Sequence, residues 1–63
     1  MIEFAVKDMT CSHCASTVTE AVKRVDAAAR CEVDLDAKRV RIESATPAAE
    51  FAESIRRAGY TPT

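Results

Sequence analysis

The stretch CEVDLDAKRVRIE, residues 31–43, alternates with period two on both sides of a polar centre. Cys31, Val33 and Leu35 share one face of its first half, and Glu32 and Asp34 take the other. After Asp36-Ala37-Lys38 the alternation resumes, with Val40 and Ile42 set against Arg39, Arg41 and Glu43. Successive side chains of a strand point to opposite faces, so each half offers one apolar face. Two such runs joined by a short polar turn predict an antiparallel hairpin. Its outer face, with charges of both signs, suits solvent.

On both sides of the hairpin the period becomes helical. Upstream, Cys14, Val18, Ala21, Val22 and Val25 fall on one helical face and Thr17, Glu20, Lys23 and Arg24 on the other. This spacing predicts a helix from Ser12 to about Val25, with Ser12 as N-cap. Its stop is poorly marked, because Asp26-Ala27-Ala28-Ala29-Arg30 holds neither glycine nor proline. Downstream, Thr46-Pro47 reads as a capping hydroxyl followed by proline at the first helical position. Ala48, Phe51, Ala52, Ile55 and Ala58 form the apolar stripe, and Gly59, the only glycine, stands where a helix C-cap needs a positive φ.

Further out, Ile2, Phe4 and Val6 alternate with Glu3, Ala5 and Lys7 as a first strand, and Asp8-Met9-Thr10-Cys11 breaks the pattern as a loop. Tyr60-Thr61-Pro62-Thr63 reads as a short last strand, with Pro62 tolerable only at an edge or end. The order is strand, helix, strand, strand, helix, strand. An α+β fold follows, with two helices packed on one face of a four-stranded antiparallel sheet. No repeat, linker or low-complexity segment divides residues 1–63, which read as a single domain.

A chain of 63 residues has a thin core, too small to enclose an organic substrate, so its chemistry belongs at the surface. Nine Lys and Arg against ten Asp and Glu give no attraction to phosphate backbones, and the aromatics are too scattered to stack bases. Nucleic acid is excluded as a partner. No apolar run approaches a membrane span of about 20 residues. Met1-Ile2-Glu3-Phe4 lacks the basic and apolar regions of a signal peptide, so the expected location is the cytosol. Three cysteines there argue against a disulfide scaffold and for metal or thiol redox chemistry.

Cys11-Ser12-His13-Cys14 sets two sulfurs three positions apart at a loop-to-helix junction. That spacing lets both reach one ion, and the helix N-terminus lowers thiol pKa. Soft thiolates select Cu(I), zinc or iron–sulfur centres. A closed zinc site wants four ligands and an iron–sulfur cluster four cysteines. Two thiolates suit an ion content with low coordination, such as Cu(I), Ag(I) or Hg(II), and leave room for an incoming thiolate. The rival is thiol redox chemistry, since thioredoxin-like enzymes also begin a helix with Cys-x-x-Cys, but their fold needs more chain.

Met9-Thr10-Cys11-Ser12-His13-Cys14 resembles the Met-x-Cys-x-x-Cys loop of the heavy-metal-associated domains, which occur as free copper chaperones and as N-terminal modules of copper-transporting P-type ATPases. The resemblance extends through the element order to Ala58-Gly59-Tyr60. It implies a ferredoxin-like βαββαβ fold, no catalysis, and one Cu(I) held near-linearly by Cys11 and Cys14. It implies transfer by thiolate exchange to a copper-transporting P-type ATPase or another metal-binding domain, with a metal-bridged homodimer as a further possibility. Zinc-handling relatives often carry aspartate where this chain has Thr10, which favours monovalent copper; mercury-carrying relatives typically have a signal peptide. The family usually has glycine where this chain has Asp8.

Three neighbours of the pair carry open alternatives. His13 is a ligand, a modulator of the thiols or a solvated side chain. Met9 is soft enough for Cu(I) but reads better as an anchor under the loop. Tyr60 matches a tyrosine that bacterial copper chaperones hold near the metal loop, where its hydroxyl can reach a sulfur; otherwise it is a core-edge aromatic. Cys31, in phase with Val33 and Leu35, reads as a core residue outside the site. Three functions follow in order: a free copper carrier, an excised ATPase module, and a small thiol oxidoreductase.

Overall fold

A computed structural model describes all residues, Met1–Thr63. Five elements run in the order β1 (Ile2–Ala5), α1 (Ser12–Val25), β2 (Arg30–Asp34), β3 (Arg39–Glu43) and α2 (Ala48–Arg57). The hairpin of β2 and β3 forms in the register that the alternation dictates, with Cys31 opposite Ile42 and Val33 opposite Val40. Its turn closes through the Ala37 N–H donating to the Asp34 carboxylate at 3.1 Å, and Lys38 takes a positive φ of 55°. β1 pairs antiparallel with β3, so β3 is central and the strand order is β1-β3-β2. Central placement explains why Val40 and Ile42 are fully buried while Cys31, Val33 and Leu35, on and beside an edge strand, are half-buried.

The outer face of the sheet pairs charges across strands. Glu3 of β1 bridges Arg39 at 3.3 Å and Arg41 at 3.0 Å, with all three side chains well exposed. Such exposed pairs contribute little to stability, about 0–1 kcal/mol each, and mainly keep this face wet. The inner face meets the helices. Val18, Ala21 and Val22 of α1 and Phe51, Ala52 and Ile55 of α2 are buried there with Val6, Met9, Val40 and Ile42. Ser54 ties the two helices by donating its hydroxyl to the Ala21 carbonyl at 2.8 Å.

The expected fourth strand is not a strand. The sheet has three strands, and the C-terminal segment contributes a single bridge between Val6 and Pro62. Ala5 and Thr63 exchange both backbone hydrogen bonds, at 3.0 and 2.9 Å, but Pro62 has no N–H with which to extend a ladder. The two-helices-on-a-sheet arrangement is otherwise as expected.

Both helix starts differ by one residue from the sequence reading. Cys11, in extended conformation, is the N-cap of α1 in place of Ser12, and Pro47 precedes α2 in place of Thr46. Neither start has a side-chain cap. The unmarked stop of α1 falls at Asp26. Its carboxylate accepts the Ala28 N–H at 3.0 Å and the Ser44 hydroxyl at 2.6 Å, so the side chain supplies the turn that glycine or proline would otherwise mark. Lys23 further braces this corner by donating to the Ala29 carbonyl.

Candidate metal centre

The site is built outward from Met9. Its side chain is fully buried in the core, whereas Thr10, Cys11, Ser12 and His13 are all exposed. One buried thioether therefore pins a loop whose other residues face water, which assigns Met9 the anchor role and takes its sulfur away from the surface. The Met9 N–H closes a turn onto the Val6 carbonyl at 3.2 Å. Cys11 follows as N-cap, its carbonyl accepting the first helical bond from the Ala15 N–H at 3.1 Å. With no side chain capping α1, the partial positive charge of its first turn acts on the sulfurs instead.

The Cys11 and Cys14 sulfurs lie 3.3 Å apart, and either can donate to the other. The Cys14 thiol is lowered from 9.0 to about 6. The Tyr60 hydroxyl is the largest cause, followed by the Thr10 backbone and the Cys11 thiol. These neighbours favour the thiolate form of Cys14. The Tyr60 phenol is pushed up in return, chiefly by Cys14. Tyr60 is half-buried against the core as well.

Tyr60 is held by the end of α2. Gly59 adopts φ +100°, its N–H bonds to the Arg56 carbonyl at 3.0 Å, and the Tyr60 N–H bonds to the Ile55 carbonyl at 3.2 Å. This is the Schellman stop that a glycine after a helix permits, and it turns the chain back toward the cysteine loop. Asp8 meets that returning segment, its carboxylate accepting the Thr61 N–H at 3.2 Å. Nothing in a single sequence signals this last contact, which joins residues 53 positions apart.

No third His, Cys, Asp or Glu side chain joins the two sulfurs. His13 is exposed, and its carbonyl accepts the Thr17 hydroxyl within α1. Cys31 stands apart, 3.9 Å from the Thr19 hydroxyl two turns along α1, and burial pushes its thiol up. None of the surface hollows is lined by Cys11 or Cys14. The centre is an open pair of thiols with a tyrosine beside it, suited to holding a soft ion at the surface and not to enclosing an organic molecule.

Comparison with known proteins agrees with this geometry. Residues 3–61 match the heavy-metal-associated domain. The chain is 38% identical over 61 residues to the COP-associated protein of Helicobacter felis, covering 94% of this chain and 92% of that one. It is 33% identical over 61 residues to the copper chaperone CopZ of Enterococcus hirae, covering 92% and 88%. Among solved structures, the copper chaperone Atx1 from Synechocystis PCC6803, in a trimeric form, superposes with a TM-score of 0.96 at 38% identity over 100% of both chains. A gold binding protein superposes at 0.94 with 34% identity, covering 98% and 95%.

Proposed function

The chain belongs to the heavy-metal-associated domain family, and from that premise we propose that it is a cytosolic carrier holding one Cu(I) between Cys11 and Cys14. It is a metal-handling domain and not an enzyme, in keeping with relatives that bear the names of chaperones. The observation that carries the copper reading is the donor set: two sulfurs 3.3 Å apart and no third ligand. Zinc seeks a filled tetrahedral shell, whereas Cu(I) is satisfied by two soft thiolates. With metal–sulfur distances like the ~2.3 Å of zinc thiolates, a near-linear ion needs the sulfurs about 4.6 Å apart. A rotamer change at exposed Cys11 supplies that opening without disturbing buried Met9.

Transfer then proceeds by exchange. An incoming thiolate adds to the ion, a three-coordinate state forms and one of the two resident sulfurs departs; a second exchange with the other thiolate of the partner's pair then frees the remaining one. The partner is a protein with a matching cysteine pair, a copper-transporting P-type ATPase or another domain of this kind. A second copy of this chain is the metal-bridged alternative. The likeness to a relative that bears the name of a copper chaperone supports the carrier reading. A location in the cytosol fits thiols that must stay reduced, and no helix is long and apolar enough to cross a membrane.

Competition between Cu(I) and Zn(II) at equal free concentrations tests the assignment, with bound metal counted by native mass spectrometry. Retention of Cu(I) is expected. Preferential retention of zinc would transfer the site to a zinc-handling role and bring His13 or Asp8 in as ligands; a retained Ag(I) or Hg(II) at Cu(I)-like affinity is compatible with the same two thiolates.

A further inference from the structure

Between the end of α2 and the last residue, few backbone groups can hold the chain in place. The Tyr60 N–H is used by the helix stop, Pro62 has none, and the Thr63 N–H pairs with Ala5. The Thr61 N–H is the donor that remains, and no backbone carbonyl takes it. It is taken by the carboxylate of Asp8, an exposed residue one position before buried Met9 and three before Cys11. The acceptor thus sits on the loop that presents the cysteines, and the donor is the peptide immediately after Tyr60.

We propose that Asp8 is a positioning residue, whose carboxylate straps the Tyr60–Thr61 segment to the cysteine loop and so keeps the Tyr60 ring beside Cys14. The inference rests on Cys11 and Cys14 being the functional pair. The strap acts as a hydrogen-bond acceptor, and its charge is incidental. Asparagine retains the acceptor oxygen and loses the charge, whereas alanine loses both. The two substitutions therefore separate the strap from a purely electrostatic effect of Asp8 on the loop.

The test uses the full chain, metal-free and reduced, as wild type, Asp8→Ala and Asp8→Asn. In Asp8→Ala the Thr61 amide should exchange with solvent about tenfold faster, as expected for loss of one hydrogen bond. Nuclear Overhauser contacts between the Tyr60 ring and the Cys14 methylene should weaken with it. Asp8→Asn should keep exchange within about twofold of wild type and preserve those contacts. Cu(I) affinity against a competing chelator should fall by about three- to tenfold in Asp8→Ala, and by nothing further when the same change is made in a Tyr60→Phe background. Unchanged contacts in both variants would overturn the proposal. So would equal losses in both, which would assign the effect to charge, or an Asp8→Ala affinity loss undiminished in the Tyr60→Phe background. Failure of the wild type to bind Cu(I) would count against the copper reading alone, because exchange and ring contacts are read without metal.

Discussion

Replacing Gly59 with alanine tests the device that delivers Tyr60 to the site. Gly59 sits at φ +100°, a conformation that L residues rarely adopt. A Cβ built there meets no heavy atom within 4 Å, so the cost is backbone strain and not a clash. Left-handed backbone costs a non-glycine residue about 1–2 kcal/mol, and alanine recovers about 0.4–1 kcal/mol by restricting the unfolded chain. The middle of these ranges, about 1.5 less about 0.7 kcal/mol, leaves a net destabilisation of about 0.8 kcal/mol. A domain of this size loses about 4–8 °C of Tm per kcal/mol, so Gly59→Ala should melt about 3–6 °C lower. Thermal unfolding followed by circular dichroism measures this, and exchange of the Gly59 and Tyr60 amides should accelerate together. A Tm within 1 °C of wild type, or above it, would refute the left-handed stop. A loss well beyond about 3 kcal/mol would refute the open space around the Cβ, because that size belongs to steric overpacking.

Three more expectations concern ionisable and buried groups. Tyr60→Phe removes the largest cause of the lowered Cys14 pKa, so the midpoint of its alkylation rate against pH should rise above about 6, read by peptide mass mapping; an unmoved midpoint would free Tyr60 from that role. Asp26 is held below its ordinary 3.8 by the Ser44 hydroxyl first, then the Ala28 N–H and Lys23. Its stabilising effect is therefore full above pH 3.8 and lost as pH falls through the lower folded value, so urea unfolding of Asp26→Ala should approach wild type at acid pH and fall short at pH 7. Cys31→Val should leave Cu(I) affinity unchanged and shift stability by less than about 1.5 kcal/mol, and Cys31 should alkylate more slowly than Cys14; copper loss with the fold intact would bring a third thiolate into the site.

The hairpin was legible because period two over residues 31–43 leaves one register that buries Val40 and Ile42. The helices were legible for the same kind of reason, with Val18, Val22, Phe51 and Ile55 on the predicted stripes. Gly59 marked the stop of α2 by steric necessity, while Asp26 stopped α1 through side-chain bonds, one of them to Ser44, that only the folded chain brings together. Cys31 had the right parity, but its half-burial depends on β2 being an edge, which alternation does not encode. The last strand failed on Pro62, read as tolerable at an edge when its missing N–H reduces pairing to one bridge. At the site, the spacing of Cys11 and Cys14 and the anchoring of Met9 could be read from residue types and the resemblance. The contact of Asp8 with Thr61 is long-range and polar, and leaves no periodic trace.

The central claim, that two thiolates hold one ion, is met most directly by anaerobic Cu(I) titration of wild type, Cys11→Ser and Cys14→Ser against a competing chelator. Native mass spectrometry gives the stoichiometry, and far-UV circular dichroism confirms that each variant is folded. One Cu(I) per wild-type chain is predicted, with tight binding abolished in either serine variant, because a hydroxyl is a hard donor that stays protonated at neutral pH. Wild-type affinity at one ion per chain in either variant would contradict the account.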